Sequence, residues 1–184
     1  MPRLFTGLEL PPDLAVGLNL MKGGVPGARW IDTDAFHITL RFVGDVSDDI
    51  ADELDRALSS LRFDPFEIRL KGAGYFGGTR PRTLIVKVAA SDALERLQSA
   101  QERTCQMIGL QPEARNFTPH VTLARLKNPP LDALNQFISR QSMYASRTFE
   151  VTRFVLFSAR PGRGGGPYVQ ERTYDLGCGD NMIG

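Results

Sequence analysis

Several things that proteins commonly carry are scarce in this 184-residue chain. Only two cysteines occur, Cys105 and Cys178, with no CxxC spacing and no His cluster beside them, so neither a disulfide framework nor a zinc site is expected. Excess charge is absent as well. The 22 Lys and Arg against 21 Asp and Glu leave a formal net charge of +1, which argues against a protein that coats long nucleic acid by bulk charge. No window approaches the roughly eighteen apolar residues of a membrane span. The stretch "MPRLFTGLELPPDLAVGLNLMKGG" carries Glu9 and Asp13 where a secretory signal needs an unbroken apolar run. A reduced, cytoplasmic protein without a membrane partner is the expectation.

Histidine is the scarcest of the chemically useful residues, and both copies open the same phrase: "HITL" at 37–40 and "HVTL" at 120–123. With 11 Thr and 21 Leu in the chain, chance places Thr and Leu at those offsets from one histidine with a probability of roughly 0.007, and from both with about 5 in 100,000. Repetition of this kind points to duplicated chemistry rather than to two unrelated core histidines.

The surrounding sequence reads as interspersed strands and helices. "RLFTGLEL" alternates as a strand, and "PDLAVGLNLMKG" repeats Leu14, Leu18 and Met21 at helical spacing after a proline suited to a helix start. "AFHITLRFVG" is a strand. "SDDIADELDRALSSL" is a helix with Ser47 as N-cap, acids in its first turn and one apolar face. "FEIRLKGAGYF" and "RTLIVKVAA" follow as strands, then a helix capped by Ser91. "TPHVTLARL" is a strand, "PPLDALNQFISR" a helix, "TFEVTRFVLFSARP" one long strand and "YVQERTYDL" the last. The glycine run at 162–167 lies between two strand patterns and opens no helix, so it reads as a turn rather than a phosphate loop. The whole is expected to be one α+β domain over 1–184, with a flexible tail at 177–184. The second half loosely echoes the first, which suggests two pseudo-symmetric lobes facing each other. Each would be an antiparallel sheet with helices outside, and the two HxTL strands would line a central cleft.

Strand parity puts His37, Thr39 and Arg41 on one face and Ile38, Leu40 and Phe42 on the other; it likewise joins His120 to Thr122. Two neutral imidazoles make a poor metal site, because catalytic zinc usually takes three protein ligands and no H-x-H or H-E-x-x-H spacing supplies them. They make a good acid and base pair near neutral pH. Displacement at phosphorus needs that division of labour, and the threonine hydroxyls are suited to the non-bridging oxygens.

The duplicated phrase resembles the two H-x-T-x motifs of the two-histidine (2H) phosphoesterases. "RLFTGLELP", "RWIDTDAFHITLRFVGDV", "FTPHVTLARL" and "LFSARPGRGGGPYVQERTYDL" resemble its bacterial and archaeal RNA 2′,3′-cyclic phosphodiesterase branch, also called 2′-5′ RNA ligases. The resemblance implies metal- and cofactor-independent hydrolysis of a 2′,3′-cyclic phosphate on RNA or a nucleoside to the 2′-phosphomonoester. His37 would be the proton donor and His120 the proton acceptor, with Thr39 and Thr122 holding the phosphate, and 2′-5′ ligation would be available to the same centre. Near symmetry leaves the assignment of acid and base open on sequence grounds. Arg125 stands where the family carries a substrate-contacting arginine, although an unbroken strand would point it away from His120; Arg41 is a second candidate clamp by parity. Phe42, Tyr75, Phe76, Phe117 and Tyr168 are candidates for a base platform, Phe42 with core parity, and Trp30 is expected to pack near the cleft rim. The expected partners are RNA 3′ ends or nucleotides bearing the cyclic phosphate, acted on by a monomer with no obligatory protein partner. Competing readings are a diesterase of another small cyclic phosphate or of a 2′-5′ linkage, and a non-catalytic module that binds RNA ends.

Overall fold

The structure, a computed structural model, describes residues 3–159 and 168–177. The turn expected at 162–167 and residues 178–184 of the expected tail lie outside them. In chain order the elements are β1 Arg3–Glu9, α1 Pro12–Leu20, β2 Ala28–Trp30, a 3₁₀ turn Thr33–Ala35, β3 His37–Asp45, α2 Asp48–Ser59, β4 Phe66–Ile68, β5 Leu70–Phe76, β6 Thr83–Val88, α3 Asp92–Met107, β7 His120–Leu126, α4 Leu131–Arg140, β8 Phe149–Val151, β9 Arg153–Ala159 and β10 Val169–Asp175. Local chemistry places the helix starts as the sequence suggests. Ser47 Oγ accepts from the Ile50 N–H at 3.3 Å and Ser91 Oγ from the Leu94 N–H at 3.1 Å, satisfying donors that have no partner in the first turn.

The main sheet runs β10-β9-β1-β3-β7-β6-β5, antiparallel at every pairing, with β2 added on β7. It divides into the two expected halves at β3 and β7, which meet through a single registered pair, Ile38 with Val121. Beyond that point β3 leaves β7, and β2 takes the vacated edge, with Trp30 opposite Ala124 and the Ile31 N–H donating to the Leu123 carbonyl at 2.9 Å. This divergence opens a cleft at the two histidine motifs.

Helices cover one face. α3 packs behind β3 and against α2, which reaches β10, while α4 packs behind β5. Between them and the sheet lies the core, including Leu8, Leu18, Ile38, Leu54, Leu58, Leu84, Leu97, Val121, Leu123 and Phe137, all essentially inaccessible to water. Each such side chain contributes about 1.5–3 kcal/mol by leaving water.

Two segments expected as continuous strands are broken. "FEIRLKGAGYF" divides at Arg69 into β4 and β5, and "TFEVTRFVLFSARP" divides at Thr152 into β8 and β9. The short first pieces pair with each other, Phe66 opposite Val151 and Ile68 opposite Phe149, in a two-stranded sheet of their own. Alternation of apolar residues continues across Arg69, so periodicity carries no sign of that change of sheet, whereas at the second break Thr152 and Arg153 are two polar residues in succession and shift the pattern by one.

Candidate active site

Both histidine motifs lie on strands that are irregular at the same offset. In β3, Thr39 faces Gly7 and Arg41 faces Thr6, leaving Leu40 as an extra residue; in β7, Thr122 faces Ile85 and Ala124 faces Leu84, leaving Leu123 extra. The leucine of each HxTL phrase is thus the bulged residue. A bulge turns two successive side chains toward one face and reverses the parity of all that follow. Leu40 and Arg41 are both buried on the helix side, as are Leu123 and Ala124. The fifth residue after each histidine, Phe42 on β3 and Arg125 on β7, therefore returns to the histidine face and is exposed.

This overturns two parity expectations. Arg41 is only 6% exposed, and its guanidinium donates to Glu102 of α3 and to the backbone carbonyls of Phe42 and Gln111. It is committed to the sheet–helix interface, so a role as a cleft-facing phosphate clamp is corrected. Phe42, expected in the core, is 43% exposed on the cleft side. The bend that Arg125 required is present, and its charge acts on both imidazoles.

The rings themselves are oriented alike. His37 Nδ1–H donates to the Ala35 carbonyl at 2.9 Å, and His120 Nδ1–H donates to the Thr118 carbonyl at 2.7 Å. A carbonyl only accepts, so each Nδ1 holds the proton and each Nε2 is the working atom. The supports are local: Ala35 ends the 3₁₀ turn before β3, and Pro119 biases Thr118 to an extended conformation. His37 Nε2 accepts from the Thr39 hydroxyl at 3.0 Å. Thr122 is half-buried on the same face of β7 as His120.

Aromatic rings fix the imidazoles further. His37 lies against Phe5 at 5.0 Å and edge-on to Tyr168 at 5.0 Å, with Phe157 stacked behind Phe5. Phe76 meets His120 edge-on at 4.8 Å. Phe5, Val155 and Phe157 form a small buried cluster on this face, apart from the main core. Of these, Phe5 and Phe157 were not legible as site neighbours, since a strand phenylalanine reads as core in either position. Tyr75 sits at the far edge on β5, and Trp30 packs on Phe137 of α4.

Burial lowers the pKa of His37 below the ordinary value near 6.5, opposed by its bond to Ala35 and reinforced by the charges of His120 and Arg125. Burial also lowers that of His120, opposed by its bond to Thr118 and reinforced by Arg125. Both shifts favour the neutral imidazole. Among the described residues no three His, Cys, Asp or Glu side chains are grouped to hold a metal ion, and no helix is long and apolar enough to cross a membrane.

Two imidazoles on one face of the adjoining strands β3 and β7, with threonine hydroxyls and a guanidinium on the same face, are an arrangement chemically suited to acid–base work at phosphorus. The profile of the 2′-5′ RNA ligase superfamily matches residues 26–163, a span that includes both motifs, and the chain belongs to that superfamily. The RNA 2′,3′-cyclic phosphodiesterase of Aeropyrum pernix is 43% identical over 106 residues, 56% of this chain and 60% of the relative's length. The enzyme of the same name from Aquifex aeolicus is 29% identical over 154 residues, 81% of this chain and 82% of its own. The crystal structure of E. coli LigT complexed with 3′-AMP superposes with a TM-score of 0.74 at 22% identity, covering 96% of this chain and 99% of that one.

Proposed function

We propose that this chain hydrolyses 2′,3′-cyclic phosphates, on RNA 3′ ends or on nucleotides, to 2′-phosphomonoesters by proton transfer through His37 and His120. The observation that carries the reading is the pair of Nε2 atoms, each left as the working nitrogen of its ring by an Nδ1–H bond to the carbonyl two residues upstream. The named activity of the relatives supports the substrate class, and a nucleotide complex of the structural neighbour agrees with it.

Because Nδ1 stays protonated, a ring donates from Nε2 only as the imidazolium, and accepts there only when neutral. The working form therefore holds one of each. Water enters in line with the P–O3′ bond, and His120 Nε2 takes its proton as the oxygen attacks phosphorus. P–O3′ breaks, and His37 delivers its Nε2 proton to O3′, leaving a 3′-hydroxyl and a 2′-phosphate. Exchange of protons with solvent resets the pair. Thr39 and Thr122 donate to the non-bridging oxygens, Arg125 offsets their charge, and Phe42 offers a ring face for the base. A 5′-hydroxyl in place of water yields a 2′-5′ linkage by the same transfers, and the reverse reaction exchanges the two roles. One chain supplies both halves of the centre, which supports a monomer as the working unit. The buried free Cys105 suits the reducing cytoplasm.

The test is turnover of adenosine 2′,3′-cyclic phosphate. His37→Ala and His120→Ala are each expected to lose about 10²- to 10⁴-fold in rate with unchanged circular dichroism. Wild-type turnover by either variant contradicts the assignment.

A further inference from the structure

The two halves of the sheet differ in charge. Strands β2, β5, β6 and β7 contain Arg29, Lys71, Lys87 and Arg125 and no carboxylate, whereas in β1, β3, β9 and β10 the acids Glu9, Asp45, Glu171 and Asp175 are balanced by Arg3, Arg41, Arg153 and Arg172. One of these cations is placed beside the chemistry. Lys87 of β6 is registered directly opposite His120 and so shares its face, with the two Cβ atoms about 5 Å apart. Its side chain does not return toward β7. It lies across Gly74 of the edge strand β5, where a Cβ would come within 2.8 Å of Lys87 Cε and 3.6 Å of Nζ. Glycine at 74 leaves the channel along which the lysine runs. Lys87 is exposed and takes no part in the ion pairs found among the described residues. Phe76, on the same strand as Gly74, packs nearly perpendicular to the His120 ring and keeps 37% of its surface open.

A cyclic mononucleotide is held by groups around the two imidazoles and has no use for a cation displaced outward by a further strand spacing of about 4.8 Å. An RNA end does, because the nucleotide before the cyclic one brings a second phosphate and a second base. We propose that Lys87 and Phe76 form an outer subsite for that preceding nucleotide, Lys87 on its phosphodiester and Phe76 on its base, so that RNA ends are selected over cyclic mononucleotides. The inference rests on the cyclic phosphodiesterase reading above. A lysine contacts phosphate as a point charge and an exposed aromatic face stacks on any base, so the subsite selects chain length rather than sequence.

The experiment compares kcat/KM for adenosine 2′,3′-cyclic phosphate with that for the ApA dinucleotide bearing the same cyclic end, over a range of salt. Wild type is expected to favour the dinucleotide. Lys87→Ala should reduce the dinucleotide-to-mononucleotide ratio about tenfold, the scale of one charge-assisted contact, and Lys87→Arg should retain it. The salt dependence of dinucleotide KM in Lys87→Ala should lose about 0.7 in log–log slope, one phosphate contact on a single strand. Equal use of both substrates by wild type, or a Lys87→Ala ratio equal to that of wild type, overturns the subsite while leaving the phosphodiesterase standing. Turnover of neither substrate by wild type overturns both.

Discussion

An imidazole with Nδ1 bound to a carbonyl has only Nε2 left for chemistry, and two such rings must share one proton to act as acid and base. Burial and the Arg125 charge favour the neutral form of both, so the singly protonated pair is populated below the ordinary histidine value. The kcat/KM profile for a cyclic nucleotide is therefore expected to be bell-shaped with its optimum below about pH 6.5, its two limbs belonging to the pair rather than to either ring. It falls at high pH as the last imidazolium is lost, and at low pH as the last neutral ring is lost. Arg125→Gln removes a cation that depresses both rings, so the optimum should move to higher pH while KM rises; an unmoved optimum contradicts the electrostatic role of Arg125. His37, His120, Thr39 and Thr122 were legible because the phrase is duplicated. Arg41 and Phe42 were misplaced because a bulge has no period, and "LRF" reads the same whether or not Leu40 is an extra residue.

At the scale of elements, the bulge in β3 is held from behind. Thr6 Oγ1 accepts from the Arg41 N–H at 3.1 Å, and the Arg41 guanidinium spans Glu102, the Phe42 carbonyl and the Gln111 carbonyl. Glu102 also accepts from the Glu113 N–H at 2.9 Å, so the same pair anchors the start of the segment leading to His120. Glu102→Ala leaves the Arg41 charge buried without its counterion and should cost about 3 kcal/mol of stability, read as a lower urea midpoint at unchanged slope; an unaltered midpoint contradicts this view of the pair. The helices were legible through their Ser47 and Ser91 caps and apolar stripes. The division at Arg69 was not, because that one-residue break preserves alternation; the one at Thr152 left a trace in the polar pair Thr152-Arg153, but the choice of partner strand is made by tertiary packing in both cases.

Across the molecule, the cleft exists because β3 and β7 touch at one registered pair and then separate. Ile38 and Val121 are both fully buried there, so Ile38→Ala should cost about 2–5 kcal/mol and also reduce turnover, since it loosens the one seam that sets the spacing of the two imidazoles. Loss of stability with full turnover at a temperature where the variant is folded contradicts that role for the seam. The two-lobed plan was legible from the echo between halves, whereas the single seam depends on register, which composition does not record.

The most direct test of the acid–base centre is to convert adenosine 2′,3′-cyclic phosphate in the presence of chelator and identify the product isomer by phosphorus NMR. The account predicts the 2′-phosphate alone from wild type, at a rate the chelator leaves unchanged, with no product from His37→Ala or His120→Ala on the same timescale. Formation of the 3′-phosphate, loss of activity in chelator, or product from either variant at the wild-type rate would contradict it.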